Sequence, residues 1–171
     1  MSTTCDLIVL KKKAISGPLD LNELWMNMVK IFLESGIGLE TSEIHTPFLL
    51  SPNMEKFHKS YYGSMTLKVD HSSPYKEALF VYCETNRGQD CDISSIDTLQ
   101  DKVDFDITEF VRFSLPYKAQ NLEVFRKVLI RLLDEDDYFI AFTPDDALDP
   151  ELVDQAQIDK LKTRIDNLIA V

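Results

Sequence analysis

The chain has 171 residues, a formal net charge of −11, a hydrophobic fraction of 44% and sixteen Phe and Tyr residues. A length of this order suits one domain burying roughly 70% of its unfolded surface, and a disordered acidic tail would be far poorer in apolar and aromatic residues. The charge opposes phosphate contacts and so argues against nucleic-acid binding. The longest apolar run, Ala78 to Cys83, falls far short of the roughly 20 residues of a membrane span.

Three cysteines, Cys5, Cys83 and Cys91, have no disulfide-framework spacing, and Met-Ser-Thr-Thr-Cys-Asp lacks the basic and apolar regions of a signal peptide. The expectation is a cytoplasmic protein with no membrane association.

Leu7–Leu10 reads as a strand ending in Lys11, Lys12 and Lys13, whose charges would keep its end soluble and discourage edge pairing. Pro18 and Asp20 open a helix, with Glu23 in capping-box spacing. Leu21, Leu24, Trp25, Met28, Ile31 and Phe32 recur at helical period, Trp25 as a core residue, and Gly36 is a C-cap. Residues 37–60 are ambiguous, broken by Pro47 and Pro52, with a helical turn near Asn53–Lys59.

In Ser64–Asp70, Met65, Leu67 and Val69 alternate with polar residues, as in a half-buried strand. Tyr75–Cys83 is more uniformly apolar, as in a central strand covered on both faces, and His71-Ser72-Ser73-Pro74 makes a hairpin the natural connection. Asn86–Asp92 reads as a loop. Val103, Phe105 and Ile107 alternate with Asp104, Asp106 and Thr108, predicting another strand with an acidic outer face, and Phe110–Leu115 continues the sheet until Pro116.

A helix from about Gln120 to Leu133 presents Leu122, Phe125, Leu129, Leu132 and Leu133. Tyr138–Phe142 reads as a strand. Asp149-Pro150 predicts a helix start, with an N-cap acceptor followed by proline at the first helical position. Leu152, Ala156, Ile158, Leu161, Ile165 and Leu168 then supply its apolar face. The order predicts a single α+β domain over residues 1–171. Its largely antiparallel sheet of about five to six strands would pack with three main helices.

Charge is the most informative pattern. Residues 1–83 hold nine acids against eight bases, whereas residues 84–171 hold twenty against ten. Between Leu132 and Asp159 there are ten acids and no Lys or Arg. Asp134, Glu135, Asp136 and Asp137 follow a predicted helix C-terminus, where negative charge is unfavourable by a few tenths up to about 1 kcal/mol each. A cluster that opposes the local fold is a candidate interaction surface. Asp149, Glu151 and Asp154 instead find a folding reason in the first turns of the predicted last helix, with Lys160, Lys162 and Arg164 beyond them. The candidate partner-binding residues are therefore Asp134, Glu135, Asp136 and Asp137, then Asp145 and Asp146, which bracket the predicted strand, with Tyr138 as an aromatic anchor. Asp104 and Asp106 extend this surface if their strand is a neighbour.

No catalytic, cofactor or metal signature stands beside this pattern. Asp90, Asp92, Ser94 and Asp101 mimic a calcium loop, but Ser95 stands where glycine is needed and the last ligand is a short Asp. Cys83, Cys91 and His71 lack zinc-site spacing. Cys83 with His45, His58 or His71 would make a thiol–imidazole dyad only if the fold joined them, and a strand-end cysteine is more simply a small buried hydrophobe. Gly36-Ile37-Gly38 lacks the rest of a phosphate-cradling motif.

The leading expectation is a protein-binding module for a basic partner. Its most concrete form is an immunity protein or antitoxin whose acidic surface covers the cationic groove of a nuclease toxin. A secretion chaperone or adaptor is the alternative, and a small enzyme of unidentified chemistry the third. Residue order leaves the oligomeric state open.

Overall fold

Strand β1 (Thr4–Lys11) lies inside the sheet, with β5 (Glu109–Pro116) antiparallel on one side and β6 (Tyr138–Thr143) antiparallel on the other. Its two side-chain rows are both buried: Cys5, Leu7 and Val9 on one face, Ile8 and Leu10 on the other. A strand covered on both faces needs a continuous apolar run, which Leu-Ile-Val-Leu provides. β1 is therefore not an edge strand, since β5 and β6 pair with it on its two sides, and Lys11 lies opposite Tyr138. The computed structural model describes residues 3–11, 21–39, 60–68, 77–85, 97–104, 109–135, 138–145 and 149–170. Lys12, Lys13 and the proposed turn at Asn53–Lys59 lie outside them.

The remaining strands are β2 (Gly38–Leu39), β3 (Ser60–Lys68), β4 (Glu77–Thr85) and β7 (Glu151–Leu152). The seven form one sheet in the order β2-β3-β4-β5-β1-β6-β7, antiparallel at every pairing. Together with four helices among the described residues, they make the fold α+β. As the apolar run of Tyr75–Cys83 predicts, β4 is interior, paired with β3 and β5.

Helices α1 (Leu21–Glu34), α3 (Ala119–Leu132) and α4 (Gln155–Ile169) contribute to the main core on one face. Phe32 of α1 packs on Phe113 of β5 with ring centroids 6.5 Å apart. Phe125 of α3 meets Phe142 of β6 edge-to-face at 5.7 Å. The short helix α2 (Asp97–Gln100) covers the opposite face, where Leu99 joins Ile8, Leu10, Phe110 and Ala141.

Gly36 ends α1 at φ 79°. Its N–H donates to the Leu33 carbonyl, and the Ile37 N–H donates to that of Phe32, both at 3.1 Å. This is a Schellman cap, with buried Ile37 and Phe32 as its apolar contact. Helix α3 begins differently. Lys118, at its N-cap, has a side chain that caps no backbone N–H of the helix. Glu77 of β4 instead accepts from Lys118 Nζ at 2.8 Å, Gln120 Nε2 at 3.4 Å and buried Asn121 Nδ2 at 2.6 Å. A carboxylate from another strand thus supplies the negative charge that a helix N-terminus favours.

Two predicted elements are corrected. Asp149-Pro150 does not start a helix. Glu151 and Leu152 form β7 against Phe142 and Ala141, and the Val153 N–H donates to Ile140 O at 2.8 Å. The free edge of β6 captures this segment, and proline is compatible with the approach to an edge strand. Helix α4 begins at Gln155, where the Asp154 carboxylate accepts from the Gln157 N–H at 2.8 Å. Leu152 therefore belongs to the opposite-face cluster and Ala156 is exposed, so neither serves the α4 core stripe. The second correction concerns Val103 and Asp104, which form a bend after α2 and not a strand. Val103 packs against the opposite-face cluster that contains Leu99, a burial that alternation along the chain does not reveal.

Candidate functional site

The proposed acidic surface falls at the two ends of β6, about 20 Å apart for a strand of this length. At the first end the C-terminus of α3 absorbs part of the charge. Arg131 in its last turn pairs through Nη1 with Glu135 at 3.2 Å and through Nε with Glu34 of α1 at 3.2 Å. Lys30 approaches the same Glu34 at 3.8 Å. Glu135 is therefore the outer member of a network tying α3 to α1. Asp134 is exposed, and among the described residues its carboxylate has no ion-pair partner. Tyr138 opens β6 opposite Lys11. Asp136 and Asp137 lie outside the described residues, as do Asp146 and Asp106.

Asp145 is half-buried just beyond the other end of β6. Asp104 is exposed in the bend after α2 and not on a strand. Of the nine proposed residues, the structure brings Glu135 into a described ion pair and leaves Asp104 and Asp134 at the surface.

A cavity of about 390 Å³ lies between α3, α4 and the segment leading through β7. Its apolar floor is Leu129, Phe142, Val153 and Leu161. Along one wall α4 presents Gln157, Lys160 and Arg164, which share a helix face at i, i+3 and i+7. Tyr117 steadies Arg164, whose Nη1 donates to the phenol oxygen at 3.4 Å. Asp149 and Glu151 line the cavity as well. Among the described residues, neither these two carboxylates nor Lys160 makes an ion pair within 4 Å.

Asp149 and Glu151 carry no local sign of this position, because Asp149-Pro150 predicts a helix start and so puts both in its first turns, where the macrodipole explains them. With the helix beginning at Gln155, that explanation applies only to Asp154. The signal for the basic wall was present as Gln157, Lys160 and Arg164 flanking Leu161 on one helical face. Nothing local indicated what that face would meet.

The other chemically notable groups serve the interior. The Cys5 thiol lies 3.5 Å from Leu115 O. Burial first, and then the nearby negative charge of Asp6, push its pKa up to about 12, so it stays protonated and is a poor nucleophile near neutrality. Asp6 is buried on the opposite face, with Oδ2 4.0 Å from Arg112 Nε. The Arg112 guanidinium also sits 5.9 Å from the Phe110 ring centre. The side chain of Cys83 and the whole of Cys91 lie outside the described parts, as do His45, His58 and His71, so the zinc and thiol–imidazole readings do too.

Among the described residues no helix is long and apolar enough to cross a membrane, and no group of three or more His, Cys, Asp or Glu is arranged to hold a metal ion. Comparisons with protein-family models, curated proteins and solved structures find no match to this chain.

Proposed function

We propose that this chain is an acidic protein-binding module that neutralises a basic partner in the cytoplasm. Its most concrete form is an immunity protein or antitoxin that occludes the cationic groove of a nuclease toxin. One observation carries this reading: exposed acids around β6 and β7 stand outside the ion pairs among the described residues. Asp134, Asp149 and Glu151 are exposed and make no ion pair among the described residues. They belong to a half-chain with twice as many acids as bases. A nuclease groove needs positive charge to hold phosphates, and an acidic surface complements it, speeding encounter and rejecting wrong partners.

Reversing Asp134, Asp136 and Asp137 to Lys tests the reading. The expected outcome is an unchanged circular dichroism spectrum and association with the native partner slowed by about tenfold or more. The partner is first obtained by pull-down from native lysate with washes at low and high salt. A basic partner released at high salt, with its association slowed by the reversal, supports the proposal. Association untouched by the reversal makes these acids a solubility surface and sinks it.

A second reading, a secretion chaperone or adaptor, draws on exposed apolar side chains of α1 (Met26 and Leu33), of α3 (Ile130) and of its C-cap (Leu133). Such a protein holds its client mainly by apolar burial, so the captured segment would survive the high-salt wash.

A further inference from the structure

The cavity beside α4 has a combination of walls that folding alone does not require. Its charged groups are of both signs, yet no ion pair joins Asp149 or Glu151 to Lys160 among the described residues. Arg164 is held by Tyr117 while still lining the space. A purely anionic ligand would be repelled by the two carboxylates, and a purely cationic one by Lys160 and Arg164. A ligand carrying both charges is favoured by both sets of groups. The floor of Leu129, Phe142, Val153 and Leu161 offers no side-chain hydrogen-bonding group, so whatever rests on it is apolar. The volume, about 390 Å³, falls in the range of small-molecule sites, which combine an apolar lining with a few convergent polar groups.

We infer that this cavity binds a small zwitterion with an apolar side chain, of the α-amino-acid class. Lys160 and Arg164 take its carboxylate, Asp149 and Glu151 its ammonium group, and Gln157 offers an amide that can donate to the carboxylate or accept from the ammonium. The guanidinium fixed by Tyr117 is partly preorganised, which lowers the ordering cost of binding. Asp149 and Glu151 serve both this site and the protein-binding proposal, but this test needs no protein partner and does not depend on that reading.

The test is isothermal titration calorimetry of the full chain with L-leucine, L-valine, L-methionine and L-phenylalanine. N-acetyl-L-leucine, which lacks the ammonium charge, and L-leucinamide, which lacks the carboxylate, serve as controls. At least one free amino acid is expected to bind saturably at one site per chain, and the two blocked leucines to bind at least about tenfold more weakly than leucine. K160Q should weaken the free amino acid and leave leucinamide unchanged, with circular dichroism verifying the fold. D149N should weaken the free amino acid and leave N-acetyl-leucine unchanged. Absence of saturable binding by all four amino acids at millimolar concentration overturns the inference. So does binding of either blocked analogue as tight as that of leucine.

Discussion

At the C-terminal end of α3, Glu135 closes on Arg131 at 3.2 Å, and the same guanidinium reaches Glu34 of α1 at 3.2 Å. Beyond the other end of β6, Asp149 and Glu151 border a cavity and make no ion pair among the described residues. Both regions lie within one stretch that contains no lysine or arginine. An acid's role in this chain depends on which base the fold brings to it. Arg131 lies just before the stretch and turns back onto it at i,i+4 spacing, whereas Lys160 and Arg164 follow it and face a gap.

The two regions share an apolar support, and removing it should have the largest effect. Phe125→Ala takes away the edge-to-face partner of Phe142, itself part of the cavity floor. A fully buried Phe of this kind is expected to cost about 3–5 kcal/mol in urea-induced unfolding. A loss below about 1 kcal/mol would mean that this layer is not a shared foundation.

The next effect sharpens the contrast between acids that support the fold and acids that do not. Asp154→Ala removes the N-cap of α4 and should cost about 1 kcal/mol. Asp149→Ala, five residues earlier, should change stability by no more than about 0.5 kcal/mol. The reverse ranking in thermal or urea unfolding would restore the helix start at Asp149 and erase the distinction.

The smallest effect probes the α3 end. Arg131→Ala should destabilise by about 0.2–1 kcal/mol at low salt, since the pairs it breaks are partly exposed, and by less at high salt. A cost independent of salt would indicate that the arginine stem, through packing, matters more than its charge.

Much of the fold is legible in the chain because the signals involved are local. The apolar run of β1, the apolar face of α3 and the glycine at the end of α1 each leave a short pattern that survives in the tertiary structure. The candidate site is less legible. Asp149-Pro150 and Asp154 both satisfy the local rule for a helix N-terminus, and only pairing of Glu151 and Leu152 with β6 decides between them. That pairing removes the dipole explanation from Asp149 and Glu151 and brings them to the cavity. The predicted strand at Val103 is hidden for a related reason: alternation suggests a strand, but Val103 and Asp104 form a bend, with Val103 packed against the opposite-face cluster.

By itself the sequence determines that the chain alternates strands and helices with enough apolar surface for a core, and that its negative charge is concentrated in the C-terminal half. These properties follow from residue type, hydrophobic period and local capping. Only the tertiary structure decides that β1 is interior, that Glu77 supplies the charge at the start of α3, and that one acidic group is paired while another lines a cavity. Each depends on residues far apart in the chain meeting across the sheet: Leu7 with Phe113 and Phe142, and Glu77 with Asn121. Local pattern carries no record of those distances, because chain closure and the register of neighbouring strands set them.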